Sequence, residues 1–149
     1  MRETKFRAWD NVEMKMYYTG EEDFIHFYFD RHGIVAEKFS DVDVSTPEGD
    51  TYISGESERL DHLIYQEYTG LKDKNQNPIY EGDIVDYEGL HKQVGVSGTL
   101  LIAKWNDQDA CFTFGGIRTD FAVRYGEVVG NIHEHKHFLE GESIASTNK

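Results

Sequence analysis

Polar and apolar residues alternate from the start of the chain. Lys5-Phe6-Arg7-Ala8-Trp9-Asp10 and Glu13-Met14-Lys15-Met16-Tyr17 both show the period-2 pattern of strands, and Asp10-Asn11 between them is a turn signal. An N-terminal hairpin is therefore predicted. Phe24-Ile25-His26-Phe27-Tyr28-Phe29 is a dense aromatic run suited to a strand buried on both faces. Arg31-His32-Gly33 turns the chain into a further strand over residues 33–39, and Thr51-Tyr52-Ile53 predicts a short one beyond the loop Ser45–Asp50. The single helix is predicted from a Ser57 cap to about Gln66, because Leu60, Leu63 and Ile64 stand at i, i+3 and i+4. Tyr68-Thr69-Gly70 then reads as strand followed by turn.

The second half of the chain is rich in β signals. Asp73–Pro78 is a polar turn, and Glu81-Gly82-Asp83 is a tight entry into Ile84–Tyr87. Strands follow over 98–105, 111–114, 121–125 and 127–132. Five short strands joined by Gly- and Asp-rich turns predict a small SH3-like barrel. The predicted fold is mostly β with one short helix: an N-terminal β-rich region (1–67) packed on a C-terminal barrel (68–140), with a fraying tail (141–149).

Composition narrows the function classes. The net charge of -13 argues against a general nucleic-acid binder, which neutralises phosphates with clustered Lys and Arg. The excess is local, since residues 20–67 hold thirteen acidic and three basic groups. These acids are interspersed with Phe, Tyr, Ile and Val, the pattern of a wet strand face rather than of a charged tail. No apolar run suits a membrane span, and Met1–Lys5 leads into no secretory h-region. The single cysteine, Cys111, can form no internal disulfide and suits a reducing cytoplasm.

Several short motifs occur together, in order. They are Lys5-Phe6-Arg7-Ala8-Trp9-Asp10 with Met16-Tyr17, Tyr68-Thr69-Gly70-Leu71-Lys72-Asp73-Lys74-Asn75, and Ile79-Tyr80-Glu81-Gly82-Asp83-Ile84-Val85. Ala103-Lys104-Trp105 with Phe112 and Glu127-Val128-Val129-Gly130-Asn131-Ile132 complete the set. In this combination the chain resembles the YopX-like family of bacteriophage and prophage proteins over nearly its whole length. The resemblance implies a small, phage-encoded, mostly β protein in the cytoplasm of a bacterial host cell, and brings no catalytic residues with it. Physically the motifs read as fold-defining. Gly82 permits a positive φ, and the Asp83 carboxylate suits nearby backbone N–H groups. Gly70 and Gly130-Asn131 mark bends, and Trp9 and Trp105 are the largest side chains available to anchor a core.

Candidate chemistry is sparse. His133-Glu134-His135-Lys136-His137 is the run most like a site, since a strand would place His133, His135 and His137 on one face. In related sequences this position is a short polar tail, so the resemblance lends these histidines no metal role, and no cofactor is predicted. His26 and His62 read as core or boundary histidines, Cys111 lacks basic neighbours, and Asp107 and Asp109 suit a hairpin turn. Walker, GxGxxG, GxSxG and HExxH motifs are all absent.

The expected function is a non-enzymatic protein-binding or assembly module. Its partner is an unidentified host or phage protein or a second copy of the chain, with contacts near Tyr80, Tyr87 and Tyr125. The alternative is an acidic mimic of nucleic acid that occupies a host nucleic-acid-binding protein. A metal-dependent hydrolase using the terminal histidines ranks last. Neither direct nucleic-acid binding nor membrane insertion is expected.

Overall fold

The structure is a computed structural model, and it describes residues 4–45, 47–49, 51–87 and 100–139. The predicted tail therefore lies outside the described residues, as do the first two positions of the strand expected over 98–105. The chain is mostly β. Its strands are β1 (Phe6–Asp10), β2 (Lys15–Tyr18), β3 (Ile25–Asp30), β4 (Gly33–Ser45), β5 (Thr51–Arg59), β6 (Ile64–Lys72), β7 (Pro78–Tyr80), β8 (Asp83–Tyr87), β9 (Leu100–Asn106), β10 (Cys111–Phe114) and β11 (Gly126–Asn131). Helix α1 (Thr119–Tyr125) lies between β10 and β11. The chain divides into two compact units, one of Ala8–Tyr65 and one of the residues up to Arg7 with those from Gln66 onward. The division falls inside β1 and β6.

In the unit Ala8–Tyr65, β1 and β2 form the predicted hairpin and bury Ala8, Trp9, Met16 and Tyr17. A three-stranded antiparallel sheet follows in the order β3-β4-β5, with Phe27 opposite Ala36 and Glu37 opposite Arg59. The small core consists of Ala8, Tyr17, Ile25, Ala36, Leu60 and Leu63, flanked by Phe27 and Tyr65. Three expectations are corrected here. The aromatic run is a strand, but most of it faces solvent, and Phe29 is 70% exposed. Within this unit the small core takes in only Ile25 and, in part, Phe27 of the run.

The second correction concerns the helix expected over 57–66, which does not form. Ser57, Glu58 and Arg59 pair with β4 as the end of β5, a turn follows, and β6 begins at Ile64. Leu60 and Leu63 are buried as expected, but by the two shoulders of a turn, while Ile64 is exposed. Spacing of i and i+3 is met by a turn as readily as by a helix. Pairing with β4 then outweighs the local propensity. Third, the short strand expected at Thr51 is the start of a nine-residue one, because β4 offers thirteen residues to pair against.

In the other unit, β6 and β7 pair antiparallel, and the Tyr68 N–H donates to the Lys5 carbonyl. The strand runs on through Gly70, where a turn was expected. A register shift between Tyr68 and Lys72 absorbs the bend, with Gly70 at φ 82°. A curled four-stranded sheet has the order β10-β9-β8-β11, in which β8 pairs with both β9 and β11. Ile79, Val85, Ala103, Phe114 and Ala122 form its core.

Residues 121–125 belong to α1, not to the fifth strand expected. Phe121 and Tyr125 fall at i and i+4, Asp120 sits in the first turn and Arg124 in the last, which suits the helix dipole. Ala122 is small enough to pack against the sheet. At Gly126 a Cβ would overlap the Ala122 carbonyl oxygen and Val85, so only glycine lets the chain leave the helix for β11 here. Trp9 is an anchor at 5% exposure, but Trp105 is 41% exposed near the end of β9, its ring edge-on to Phe112 at 5.0 Å.

Candidate functional site

Buried polar groups are costly unless their hydrogen bonds are made, and this chain buries several charges. Asp10, Asp73, Asp83, Asp86 and Arg7 are all buried. Arg7 is the centre of one cluster. Its Nη1 meets Asp83 Oδ1 at 2.8 Å, its Nε donates to Gln66 Oε1 at 2.9 Å, and its Nη2 donates to the Glu81 carbonyl at 3.2 Å. The guanidinium also lies over the Tyr80 ring, 4.9 Å from its centroid. Asp83 in turn accepts the Tyr80 N–H at 2.7 Å. Burial pushes the Asp83 carboxyl above its ordinary value, against the pull of Arg7 and of the Tyr80 amide. Gly82 has φ 82°, and a Cβ there would overlap the Gln66 amide.

Asp10 holds a second cluster, in the other unit. Its Oδ1 accepts the N–H groups of Val12 and Glu13 at 2.9 and 3.0 Å and contacts His62 Nε2 at 2.7 Å; its Oδ2 accepts the Tyr17 hydroxyl at 3.1 Å. Burial opposes ionisation of Asp10, but the amide of Glu13, His62, the amide of Val12 and Tyr17 together hold its pKa below the ordinary value. The same burial, with the Asp10 carboxylate beside it, pushes the Tyr17 phenol up to about 12. Asp73 has the same design. It accepts N–H groups from Asn75, Asn77 and, on β11, Val128. Each carboxylate is surrounded by donors that fix a turn or a strand end, so what these clusters do chemically is lock backbone.

The predicted site residues fall into three places. Gly82 and Asp83 stand in the Arg7 cluster. Gly130 and Asn131 end β11, where the Asn131 Oδ1 accepts the N–H groups of His133 and Glu134. Gly70, Trp9 and Trp105 are placed as described above.

After β11, His133 stands in a turn and His137 in a short helical stretch over 136–139, with His135 between them, so the three do not share one strand face. His135 lies between Asn131 and Phe138, and the His137 ring centre is 6.0 Å from that of His135. Among the described residues, no three His, Cys, Asp or Glu side chains are grouped to hold a metal ion. Of the three tyrosines offered as exposed contacts, Tyr80 is buried beneath Arg7. Sequence reasoning missed Arg7, Gln66 and the Asp10–Tyr17–His62 group. The one available signal was that Arg7 and Asp10 both stand within the opening motif.

Helix α1 carries an exposed apolar surface. Phe121 and Tyr125 are exposed on α1 with ring centroids 6.3 Å apart, and Tyr87 lies edge-on to Tyr125 at 6.4 Å. Arg118 lies over Phe121 at 4.9 Å and pairs with Asp120 at 3.0 Å.

Comparisons with known proteins place the chain as follows. The family model described as YopX protein matches residues 5–140. A solved structure, protein EF1440 from Enterococcus faecalis, is 28% identical, with a TM-score of 0.62 over 93% of this chain and 99% of that one. No curated protein matches.

Proposed function

The chain belongs to the YopX family, and from that premise we propose that it is a non-enzymatic protein-binding or assembly module, encoded by a phage or prophage and acting in the cytoplasm of the bacterial host. The observation that carries this reading is the aromatic face of α1, where Phe121 and Tyr125 are exposed side by side with Arg118 at one end. Aromatic residues and arginine dominate the energetics of protein interfaces because they exchange large areas of water contact at little entropic cost. The sheet behind the helix, which we read as the SH3-like element, gives this face a rigid support. The locked state of Asp10, Asp73 and Asp83 favours a binding role over catalysis, since these three are engaged in holding backbone.

The test is capture from lysate of an infected host, with the intact chain and with Phe121→Ser/Tyr125→Ser. The expected result is a partner retained in molar salt by the intact chain and lost by the variant, whose circular dichroism is unchanged. A partner that the variant keeps and that salt releases would instead fit the acidic mimic, because exposed charges are screened beyond about 10 Å at 0.1 M.

A further inference from the structure

Strand β3 carries apolar side chains on both faces of its sheet, and only one of those faces meets the core of the unit. Successive residues of a strand alternate in direction, and directly opposite residues of an antiparallel pair project to the same side. Ile25 and Phe27, the latter opposite Ala36, turn to the core. His26 and Tyr28 therefore project from the other face, with Glu37 and Val35 opposite them on β4. Side-chain contacts agree with this assignment. The His26 ring centre lies 4.7 Å from that of Phe39, and the Tyr28 hydroxyl donates to Glu37 Oε1 at 2.7 Å. Arg59, opposite Glu37 on β5, reaches Asp30 at 3.9 Å. Phe24, just ahead of β3, extends the row, since its carbonyl accepts the Phe39 N–H at 2.8 Å. On this face Phe24 is 53% exposed and Tyr28 41%, and His26 is exposed too. The wet face of an antiparallel sheet ordinarily carries polar residues, so a row of aromatic rings there is surface suited to a partner.

Charge decides which partner fits. Asp30 and Glu37 belong to the face, and Glu21 and Asp23 are exposed just ahead of Phe24. Residues 20–67 hold only three basic side chains against thirteen acidic ones. Of these, Arg59 is paired with Asp30 and Asp61, Lys38 stands opposite Ile25 and so projects on the core side, and Arg31 contacts His32 in the turn after β3. Such a face repels nucleic acid and acidic segments and attracts cations. Arginine suits it better than lysine, because a planar guanidinium stacks on aromatic rings and its fork matches a carboxylate. The Glu37 carboxylate, holding one hydroxyl, keeps acceptor capacity for such a fork. We propose that the face bearing Phe24, His26, Tyr28 and Phe39 docks an arginine-bearing segment of a partner protein, with guanidinium groups stacked on the rings and paired with Glu37. This face is carried by the unit Ala8–Tyr65, whereas α1 belongs to the other unit, so the two surfaces are tested independently.

The test pans the full chain against a random peptide library displayed on phage. The expected result is enrichment of arginine over lysine in the selected peptides. A synthetic copy of the most enriched peptide is then titrated by fluorescence anisotropy. Its affinity should fall about tenfold or more with Phe24→Ser/Tyr28→Thr, as for truncated interface aromatics. Replacing its arginines by lysine should also weaken it, and Phe121→Ser/Tyr125→Ser should bind it as the parent does. Selected peptides without arginine, or equal affinity for parent and Phe24→Ser/Tyr28→Thr, would overturn the proposal. Equal affinity that is lost in molar salt would show an electrostatic surface that does not use the rings. Self-association in light scattering that Phe24→Ser/Tyr28→Thr abolishes would also overturn it, and would assign the face to a second copy of the chain. Should that variant not fold by circular dichroism, Glu37→Lys decides: a loss of about tenfold supports the docking face, and an unchanged affinity refutes it.

Discussion

Arg7 and Asp83 show what single residues contribute in this chain. An ion pair this deeply buried is weak support for stability by itself, because desolvating both charges offsets most of their attraction. Removing one partner is different, since the other charge is then left in a dry site. Arg7→Met is expected to destabilise its unit by about 3–5 kcal/mol in urea denaturation near neutral pH. Arg7→Met/Asp83→Leu should recover much of that loss. The loss should also shrink as pH falls, since the raised pKa of Asp83 lets it become neutral early. A single variant within about 0.5 kcal/mol of the parent, the range of ordinary surface changes, would show that the pair does not hold the site. The Gly82–Asp83 turn was legible in sequence because its partners are local: a glycine at φ 82° and an amide three residues away. The role of Arg7 was not. Its partners Gln66 and Glu81 are 59 and 74 positions distant, and nothing in the local pattern distinguishes a buried arginine from one on a wet strand face.

The elements between β5 and β6 and around α1 show how the same apolar spacing is resolved in opposite ways. The spacing of Leu60 and Leu63 predicts a helix face, and they form the inner side of a turn, whereas Phe121–Tyr125 predicts a strand and is a helix. In each case the neighbouring element decides. Residues 57–59 have a free β4 partner to extend, while the stretch before Gly126 has a sheet face that a single alanine fits. Period-based reading sees neither, because both depend on what lies opposite. The N-terminal hairpin and the β9–β10 hairpin were legible because their turn chemistry is local. In the second, the Asn106 side chain accepts the N–H groups of Gln108 and Asp109. The difference between turn and helix is measurable. Leu63→Ala should cost about 2–5 kcal/mol as a core truncation. Ile64→Lys, on the neighbouring exposed residue, should change stability by less than about 0.5 kcal/mol. Comparable losses at the two positions would mean that 60–64 buries a continuous face after all.

At the scale of the whole molecule the charge is the property that the folded arrangement gives a place. Two groups of acids separate. Asp10, Asp73, Asp83 and Asp86 are buried, and the first three accept backbone N–H groups that fix turns and strand ends, so those three are part of the structural framework. Glu21, Asp23, Asp30, Glu48, Glu56, Glu58 and Asp61 are exposed within one unit of the chain. The net -10 of residues 20–67 is therefore largely a solvent-facing charge of one sign on a unit whose core is small. Like charges confined to so small a body repel, and the repulsion disfavours the compact state. Salt screens it, with a Debye length of about 10 Å at 0.1 M. Thermal stability should consequently rise with sodium chloride from a few millimolar to about 0.15 M, where screening reaches about 8 Å. Glu21→Lys/Glu56→Lys should raise stability at low salt and flatten the dependence, because it shifts the net charge of the unit by four, removing two negative charges and adding two positive ones. Scanning calorimetry at several ionic strengths reads both effects. A melting temperature that falls as salt is added would mean that favourable pairs such as Arg59–Asp61 and Arg59–Asp30 outweigh the repulsion, and that the acidic unit is held together by its charges rather than in spite of them.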